Sequence, residues 1–218
     1  MGKIKVITKP LGIGQANCYI LIDESTNKSA VIDPGECSSE LLDSICSNNA
    51  QDMEYILLTH GHYDHILGVA KLKKLYPNAK IAIHELDAVC LQNPEYSTAK
   101  KVLGLLASQE PVSADIELQD NDVLEVGSLK VRVMHTPGHT PGGLCYICND
   151  IIFTGDTLFC KTIGRTDFAR GSMDDMMKSI SRLGNLPGDY TVYPGHNRST
   201  TLDVERKQNR YMRKIEWS

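Results

Sequence analysis

Most of the histidines in this sequence stand where predicted strands end. The chain has seven histidines. Five of them lie at strand ends or in the turns that follow: His60, His62, His65, His139 and His196. A neutral imidazole is a favoured ligand for zinc and similar ions. Because strand-end loops let a rigid scaffold bring several side chains to one point, this placement predicts a metal site.

The densest group lies in residues 59–65, which read Thr-His-Gly-His-Tyr-Asp-His. Side chains of an extended loop repeat every second residue, so His60 and His62 point the same way and can reach one ion. Asp64 and His65 can then turn towards another ion. Gly61 is expected to leave room for the metal beside the backbone. The alternative, an accidental polar loop, does not account for this spacing.

Three further positions extend the pattern. His139 lies between two glycine-containing turns in residues 136–143, Asp156 ends an apolar strand, and His196 ends the last predicted strand. Alone, they could be a solvent-exposed turn histidine, a helix N-cap and a structural histidine. Together with residues 59–65, they are predicted to be ligands.

The elements that must position these residues alternate between short β-branched runs and helical patterns. In the first half, strands are predicted at 17–22, 30–32, 55–58 and 81–83. One helix carries Leu41, Leu42 and Ile45, and another runs from about Asp64 to just before Pro77. Residues 92–112 are predicted to form a helix plus an irregular flap.

The second half repeats this theme, with strands near 122–134, 143–148, 151–154 and 190–193. Ser172 and Asp175 form a capping-box pattern that opens a helix ending at Gly184. Its apolar stripe is Met173, Met176, Met177, Ile180 and Leu183. The charged segment 203–214 is predicted to form a closing helix that could also serve a dimer contact. No low-complexity linker divides the chain, which predicts a single domain over residues 1–218.

The order of these motifs, His-x-His-x-Asp-His, Pro-Gly-His, Gly-Asp-Thr and Pro-Gly-His, resembles the metallo-β-lactamase superfamily across nearly the whole chain. Within it, the sequence is most similar to short glyoxalase II-like proteins. The resemblance implies an α/β fold, a four-layer αβ/βα sandwich. It also implies two zinc ions, with iron or manganese as alternatives. Matched position by position, the ligands are His60, His62 and His139 for the first metal, Asp64, His65 and His196 for the second, and Asp156 as the bridge.

The resemblance implies a binuclear hydrolase of a small thioester or ester, for example of the hydroxyacyl-glutathione type. Asp64 and a metal-bound hydroxide would carry the catalysis. The alternative is a mononuclear iron oxidoreductase resembling persulfide dioxygenases. A binding protein with a vestigial site is disfavoured because all seven ligand positions are filled. A β-lactamase proper is disfavoured because a cytoplasmic chain would not meet the drug.

Residues 163–171 resemble a segment that short glyoxalase II-like hydrolases share with persulfide dioxygenases. Within it, Arg165 and Arg170 could hold an anionic substrate, or they could be surface or ion-paired arginines. Full-length glyoxalase II enzymes clasp glutathione with a C-terminal helical domain and a Lys-plus-aromatic segment. This chain ends about 22 residues after His196, so the sequence does not predict this way of binding glutathione.

Other polar residues are weighed individually. Cys145 and Cys148 should face opposite sides of a strand and so act as buried thiols instead of a redox or metal pair. Asp33 and Thr59 stand beside the predicted site and could orient a ligand histidine. The two remaining histidines, His84 and His135, are expected to be structural.

The composition limits the classes of molecule that this protein is expected to bind. The formal net charge is −4, without a basic cluster, which disfavours nucleic acid and anionic membranes as partners. No apolar run reaches the roughly 20 residues that a membrane span needs. Residues 2–6 run into strand-like sequence instead of a signal peptide. We expect a cytoplasmic protein with reduced cysteines that acts on a small molecule and can form a homodimer.

Overall fold

The strands form two six-stranded sheets and one short hairpin in residues 2–104 and 109–213, which the computed structural model describes. The first sheet uses the first half of the chain. Its strands, in their order across the sheet, are β1 (Ile4–Leu11), β2 (Ala16–Asp23), β3 (Lys28–Ile32), β4 (Asp52–Leu57), β5 (Lys80–His84) and β6 (Ile116–Leu118). Strands β1 to β3 pair antiparallel, whereas β3 to β6 run parallel.

The second half of the chain builds the other sheet. In chain order its strands are β7 (Val123–Val126), β8 (Leu129–His135), β9 (Leu144–Cys148), β10 (Ile151–Gly155), β13 (Thr191–Pro194) and β14 (Thr200–Thr201). Between β10 and β13 in the chain lies the separate hairpin of β11 (Leu158–Phe159) and β12 (Thr162–Ile163). Across this sheet the order is β14-β13-β10-β9-β8-β7, and β10 and β13 run parallel.

The described helices are short. They are α1 (Ser39–Ser47), α2 (Tyr63–Ile66), α3 (Val69–Leu75), α4 (Ala99–Leu103), α5 (Met173–Gly184) and α6 (Leu202–Gln208), with a 3-10 helix at Glu85–Leu91. The predicted start of α5 is confirmed, because the Ser172 hydroxyl accepts a hydrogen bond from the Asp175 backbone N–H.

Apolar side chains pack in three clusters, which define four layers. One cluster lies between the sheets and includes Leu21 and Phe153. A second covers the outer face of the first sheet with helix residues such as Leu41 and Leu72. A third covers the outer face of the second sheet with residues such as Ile180. The predicted αβ/βα sandwich is therefore confirmed.

The helix predicted from Asp64 to before Pro77 is in fact two helices, α2 and α3. The break falls at Gly68, whose backbone N–H donates to the Pro34 carbonyl at 2.8 Å. A Cβ at this position would lie 2.5 Å from the same oxygen. A contact with a distant loop therefore interrupts a helix that the local apolar periodicity predicts to be continuous.

Two smaller expectations also need correction. Met173 was assigned to the apolar stripe of α5, but it is exposed because it is the first residue of the helix. The closing helix ends at Gln208, because Asn209 leaves helical geometry and its side chain binds the Thr162 carbonyl. Residue 214 lies outside the described residues. The stretch 92–112, predicted to form a helix plus an irregular flap, contains the α-helix Ala99–Leu103 and turns or irregular backbone in its other described residues, and 105–108 lie outside the described residues.

In the part of the chain that the structure describes, no helix is both long enough and apolar enough to cross a bilayer.

Candidate metal centre

The predicted site residues gather along one edge of the sandwich. They follow strand ends: His60 comes shortly after β4, Asp156 directly after β10, and His196 shortly after β13. Because β3 and β4 run parallel, as do β10 and β13, each pair of strands opens its carboxyl ends to the same side. Side chains far apart in sequence therefore meet there.

Three histidines form what we call the first triad: His60, His62 and His139. The Nδ1 atom of His62 lies 2.8 Å from the Nε2 atom of His139. The ring centroid of His60 lies 4.9 Å from each of the other two. All three side chains are buried. Such converging nitrogens are a suitable donor set for one zinc-like ion.

The second triad consists of Asp64, His65 and His196. The Oδ2 atom of Asp64 lies 3.3 Å from His196 Nε2 and 4.0 Å from His65 Nε2. His65 is fully buried, whereas Asp64 and His196 are partly open to solvent. One carboxylate and two imidazoles therefore face one point beside the first triad.

Asp156 lies between the two triads. Its Oδ2 atom is 3.3 Å from Nε2 of His139 in the first triad and 3.7 Å from Nε2 of His196 in the second. Its Oδ1 atom is 3.5 Å from His65 Nε2. The two oxygens of a single carboxylate thus face both groups.

The unpaired polar atoms of this cluster fit bound metal. Among the described residues, His60 Nε2, His65 Nε2 and Asp156 Oδ1 are buried and have no hydrogen-bond partner. Leaving such an atom unpaired costs about 1–3 kcal/mol, which a bound cation would relieve. Gly195 keeps the space open, because a Cβ there would lie 2.3 Å from Asp156 Oδ1.

The electrostatics differ between the triads. Burial and the neighbouring imidazoles lower the pKa of His60 far below its ordinary value and that of His62 to about 3, so both are neutral at pH 7. Burial also lowers the pKa of His65, but three facing carboxylates, with Asp33 first, outweigh it and raise the pKa to about 10. Burial raises the pKa of Asp64, yet the charges of His65 and His196 hold it well below its ordinary value. A metal at the second triad must therefore displace a proton from His65.

Neighbouring oxygens fix the orientation of the imidazoles. The buried Asp33 carboxylate lies 2.9 Å from His65 Nδ1 and accepts hydrogen bonds from the N–H and hydroxyl of Thr59 at 2.7 and 2.6 Å. The Thr59 hydroxyl also lies 3.1 Å from His60 Nδ1. Both contacts leave Nε2 facing the cluster. They match the orienting role that the sequence suggested for Asp33 and Thr59.

The two arginines considered as substrate ligands lie at the rim of the site. The Arg165 guanidinium is paired with the exposed Asp167 carboxylate at 2.6 and 2.7 Å, while its backbone carbonyl accepts from His139 Nδ1 at 2.7 Å. The Arg170 guanidinium donates to the Leu86 carbonyl and to Cys90 Sγ. In this geometry both guanidinium groups already have partners within the protein.

The role assigned to Gly61 needs correction. A Cβ at this position would lie 2.5 Å from Cys90 Cβ and 2.6 Å from its Sγ. The glycine therefore makes room for Cys90, which belongs to the 3-10 helix, instead of for a metal. The sequence offered no signal for this contact, since the two residues are far apart along the chain.

The remaining polar residues behave as expected. Cys145 packs in the cluster outside the second sheet and Cys148 in the cluster between the sheets, so they face opposite sides of β9. All seven cysteines, each within the described residues, are free thiols. His84 and His135 stack with ring centroids 4.0 Å apart. None of these four residues belongs to the triads.

Two residues near the site were missed from the sequence. Phe168 packs edge-on against His62 and His139, with ring centroids 5.0 and 5.6 Å away. Asp87 is fully buried and accepts a hydrogen bond from the Gly61 N–H. Asp87 does follow a predicted strand by a few residues, and that position was the one available signal.

A four-layer sandwich with a His/Asp cluster at its strand ends defines a metal-binding α/β protein. The chain belongs to the metallo-β-lactamase superfamily, whose family model matches residues 11–196. It is 31% identical over 207 residues to the hydroxyacylglutathione hydrolase GloC of Haemophilus influenzae, covering 93% of this chain and 95% of that protein.

Two solved structures extend the comparison. The BLEG-1 B3 metallo-β-lactamase superposes with a TM-score of 0.88 at 29% identity, covering 95% of this chain and 99% of that one. TTHA1623 in a di-iron-bound form superposes with a TM-score of 0.82 at 29% identity, covering 94% and 99%. The superfamily consists mostly of metal-dependent hydrolases. The chain therefore belongs to a superfamily of mostly metal-dependent hydrolases, and its His/Asp cluster indicates a metal cofactor.

Proposed function

We propose that this protein is a two-metal hydrolase of a small thioester or ester, of the glyoxalase II-like, hydroxyacyl-glutathione type. One observation carries the proposal: two triads of imidazole and carboxylate groups lie side by side, with the Asp156 carboxylate between them. The name of the Haemophilus influenzae relative, a hydroxyacylglutathione hydrolase, supports the thioester class.

In this proposal the first triad holds one metal, the second triad holds the other, and Asp156 bridges them. The native ions are zinc, with iron or manganese as alternatives. The unpaired nitrogens of His60 and His65 support this arrangement, since His65 Nε2 lies 3.5 Å from Asp156 Oδ1 and His60 groups with both His65 and Asp156. Asp33 supports it further by holding Nδ1 of His65, which leaves Nε2 for coordination.

Two divalent ions bound there would supply a water of lowered pKa and polarise the substrate carbonyl. The protein's own groups supply the rest. Asp64 stays ionised, because its low pKa keeps it a carboxylate throughout the neutral range. Its side chain is partly exposed and lines the cavity, and we assign it to catalysis together with the activated water.

The cavity over the site suits a small substrate. Its volume is about 520 Å³, and its lining includes His62, Asp156 and His196. Apolar residues such as Ile163 and Phe168 also line it. These apolar side chains can pack against an acyl chain while the carbonyl faces the triads. Arg165 also lines this cavity, and it could reach an anionic substrate group only by leaving Asp167.

The test is metal analysis of anaerobically purified protein, followed by three activity assays: hydrolysis of an acyl-glutathione thioester, hydrolysis of a β-lactam, and persulfide-dependent oxygen uptake. We expect close to two metal equivalents and thioester hydrolysis, and His62→Ala should lose metal and activity together. The β-lactam assay is included because of the similarity to a B3 enzyme.

The persulfide dioxygenase alternative makes the opposite prediction. One iron per chain, persulfide-dependent oxygen uptake and full activity in His196→Ala would overturn the two-metal hydrolase. Two metals with turnover of the β-lactam alone would keep the binuclear site and overturn the thioester assignment.

A further inference from the structure

Asp87 is a buried carboxylate that the catalytic proposal does not use. It lies in the 3-10 helix that follows β5, and its residue exposure is 0%. Its Oδ2 atom accepts a hydrogen bond from the Gly61 N–H at 3.1 Å, and its Oδ1 atom accepts one from the Gly142 N–H at 3.2 Å. Hydrogen bonds to a charged acceptor are stronger than those between neutral groups.

The two glycines belong to the loops that supply the first triad. Gly61 lies between His60 and His62, and Gly142 follows His139 by three residues. One carboxylate therefore connects two loops that are separated by about 80 residues of chain and come from different sheets. The packing is tight, since a Cβ on Gly142 would lie 2.6 Å from the carboxyl carbon of Asp87.

Arg170 balances the buried charge. Its Nη1 atom lies 3.5 Å from Asp87 Oδ1, and its Nη2 atom donates to the backbone carbonyl of Leu86 in the same 3-10 helix. A buried carboxylate without such partners would be strongly unfavourable. Arg170, which was considered as a substrate ligand from sequence, thus contacts Asp87 from the rim of the site.

We propose that Asp87 is a positioning residue, which holds the two loops of the first triad at metal-binding separation before the metal arrives. The inference rests on the proposed function, since it takes the first triad to be a metal site. Without the carboxylate, two buried N–H groups lose their acceptor, and the loops lose the contact that fixes their spacing. Metal binding must then also bring the two loops together, and this cost lowers the affinity for the metal.

The test compares Asp87→Asn with a matched control, Asp23→Asn. Asp23 is equally buried and also accepts two backbone N–H bonds, from Ser25 and Ser128. Asp23 lies at the end of β2 that is far from the site. At the other end, the Asn17 N–H donates to the carbonyl of Gly195, the residue before His196. Both substitutions keep side-chain size and remove one buried charge.

The main readout is the dissociation constant for Zn²⁺, measured on chelator-stripped protein by competition with a metal-binding dye. A second readout is the visible spectrum of the Co²⁺-loaded protein, which reports ligand geometry. We expect Asp87→Asn to weaken the zinc site of the first triad by about 10–100-fold and to alter the Co²⁺ spectrum. Asp23→Asn should lose thermal stability while keeping the wild-type affinity and spectrum.

The outcomes separate the two proposals. Wild-type protein that binds none of Zn²⁺, Fe²⁺ and Mn²⁺ would overturn the proposed function and this inference together. Wild-type protein that binds two equivalents, with an unchanged zinc affinity and Co²⁺ spectrum in Asp87→Asn, would overturn only the inference. Equal losses of affinity in both variants would also overturn it, because they would indicate general loosening. If Asp87→Asn does not fold, Asp87→Ser, which lets water reach the two amides, carries the same expectation.

Discussion

Replacing Asp33 by Asn should destabilise the metal-free protein in a pH-dependent way. The Asp33 carboxylate lies 2.9 Å from His65 Nδ1, nearer than the other two carboxylates that face this ring, at 3.5 and 4.0 Å. Despite burial, these groups raise the pKa of His65 to about 10 from an ordinary 6.5. At about 1.4 kcal/mol for each tenfold change, this difference corresponds to roughly 5 kcal/mol. Since Asp33 is the nearest carboxylate, we assign it about half, or about 2–3 kcal/mol.

The sign of the pH dependence follows from the raised pKa. Protonated His65 stabilises the metal-free fold fully below pH about 6.5, and this stabilisation is lost as the pH rises through about 10. The wild-type free energy of unfolding should therefore fall over this range more steeply than that of Asp33→Asn. The difference should be largest near pH 6. Above pH about 10 it should shrink to the loss of the hydrogen bonds from Thr59, about 1 kcal/mol.

The measurement is urea unfolding of chelator-treated protein at several pH values between 6 and 10. Asp115→Asn is the control, because Asp115 also accepts a backbone N–H, that of Ile81, but does not face an imidazole of the site. Its effect should be flat over most of this range. If the curves for Asp33→Asn and wild type run parallel from pH 6 to 10, Asp33 does not hold the proton on His65.

Three further variants test other parts of the structure. Asp156→Asn should loosen both metals and lower activity by orders of magnitude, and two retained metals with near-normal turnover would contradict the bridging role. Replacing Cys145 by Ser and Cys148 by Ala should cost about 1–2 kcal/mol of stability but leave the metal content unchanged by elemental analysis, since both thiols are buried in separate clusters. A metal-free but folded double variant would be evidence against this. Glu205→Gln should lower the free energy of unfolding by about 1–3 kcal/mol, because the buried carboxylate accepts three hydrogen bonds. One of these comes from the backbone N–H of Lys161 in the β11–β12 hairpin. An unchanged urea midpoint would show that the hairpin does not depend on it.

Much of the architecture follows from local patterns. The strands at 17–22, 30–32 and 81–83 were predicted from β-branched runs, and each lies within an observed strand. The start of α5 followed from its serine cap. These features depend on residues close together in the chain, so periodicity and capping are sufficient to locate them. The prediction of one continuous helix across Gly68 was wrong for the opposite reason. The helix breaks there because of a carbonyl from another loop, which is distant in the sequence.

The sequence by itself determined which side chains can bind metal and that they stand at strand ends. Their placement at strand ends predicted a metal site, and the parallel strands β10 and β13 bring Asp156 and His196 to one edge of the second sheet. Tertiary structure alone decided the contacts around them. The contact between His62 and His139 joins residues 77 positions apart, and the Gly61 and Gly142 amides share one buried carboxylate. Local periodicity carries no information on such pairs, because their distances depend on how two separately formed sheets pack against each other.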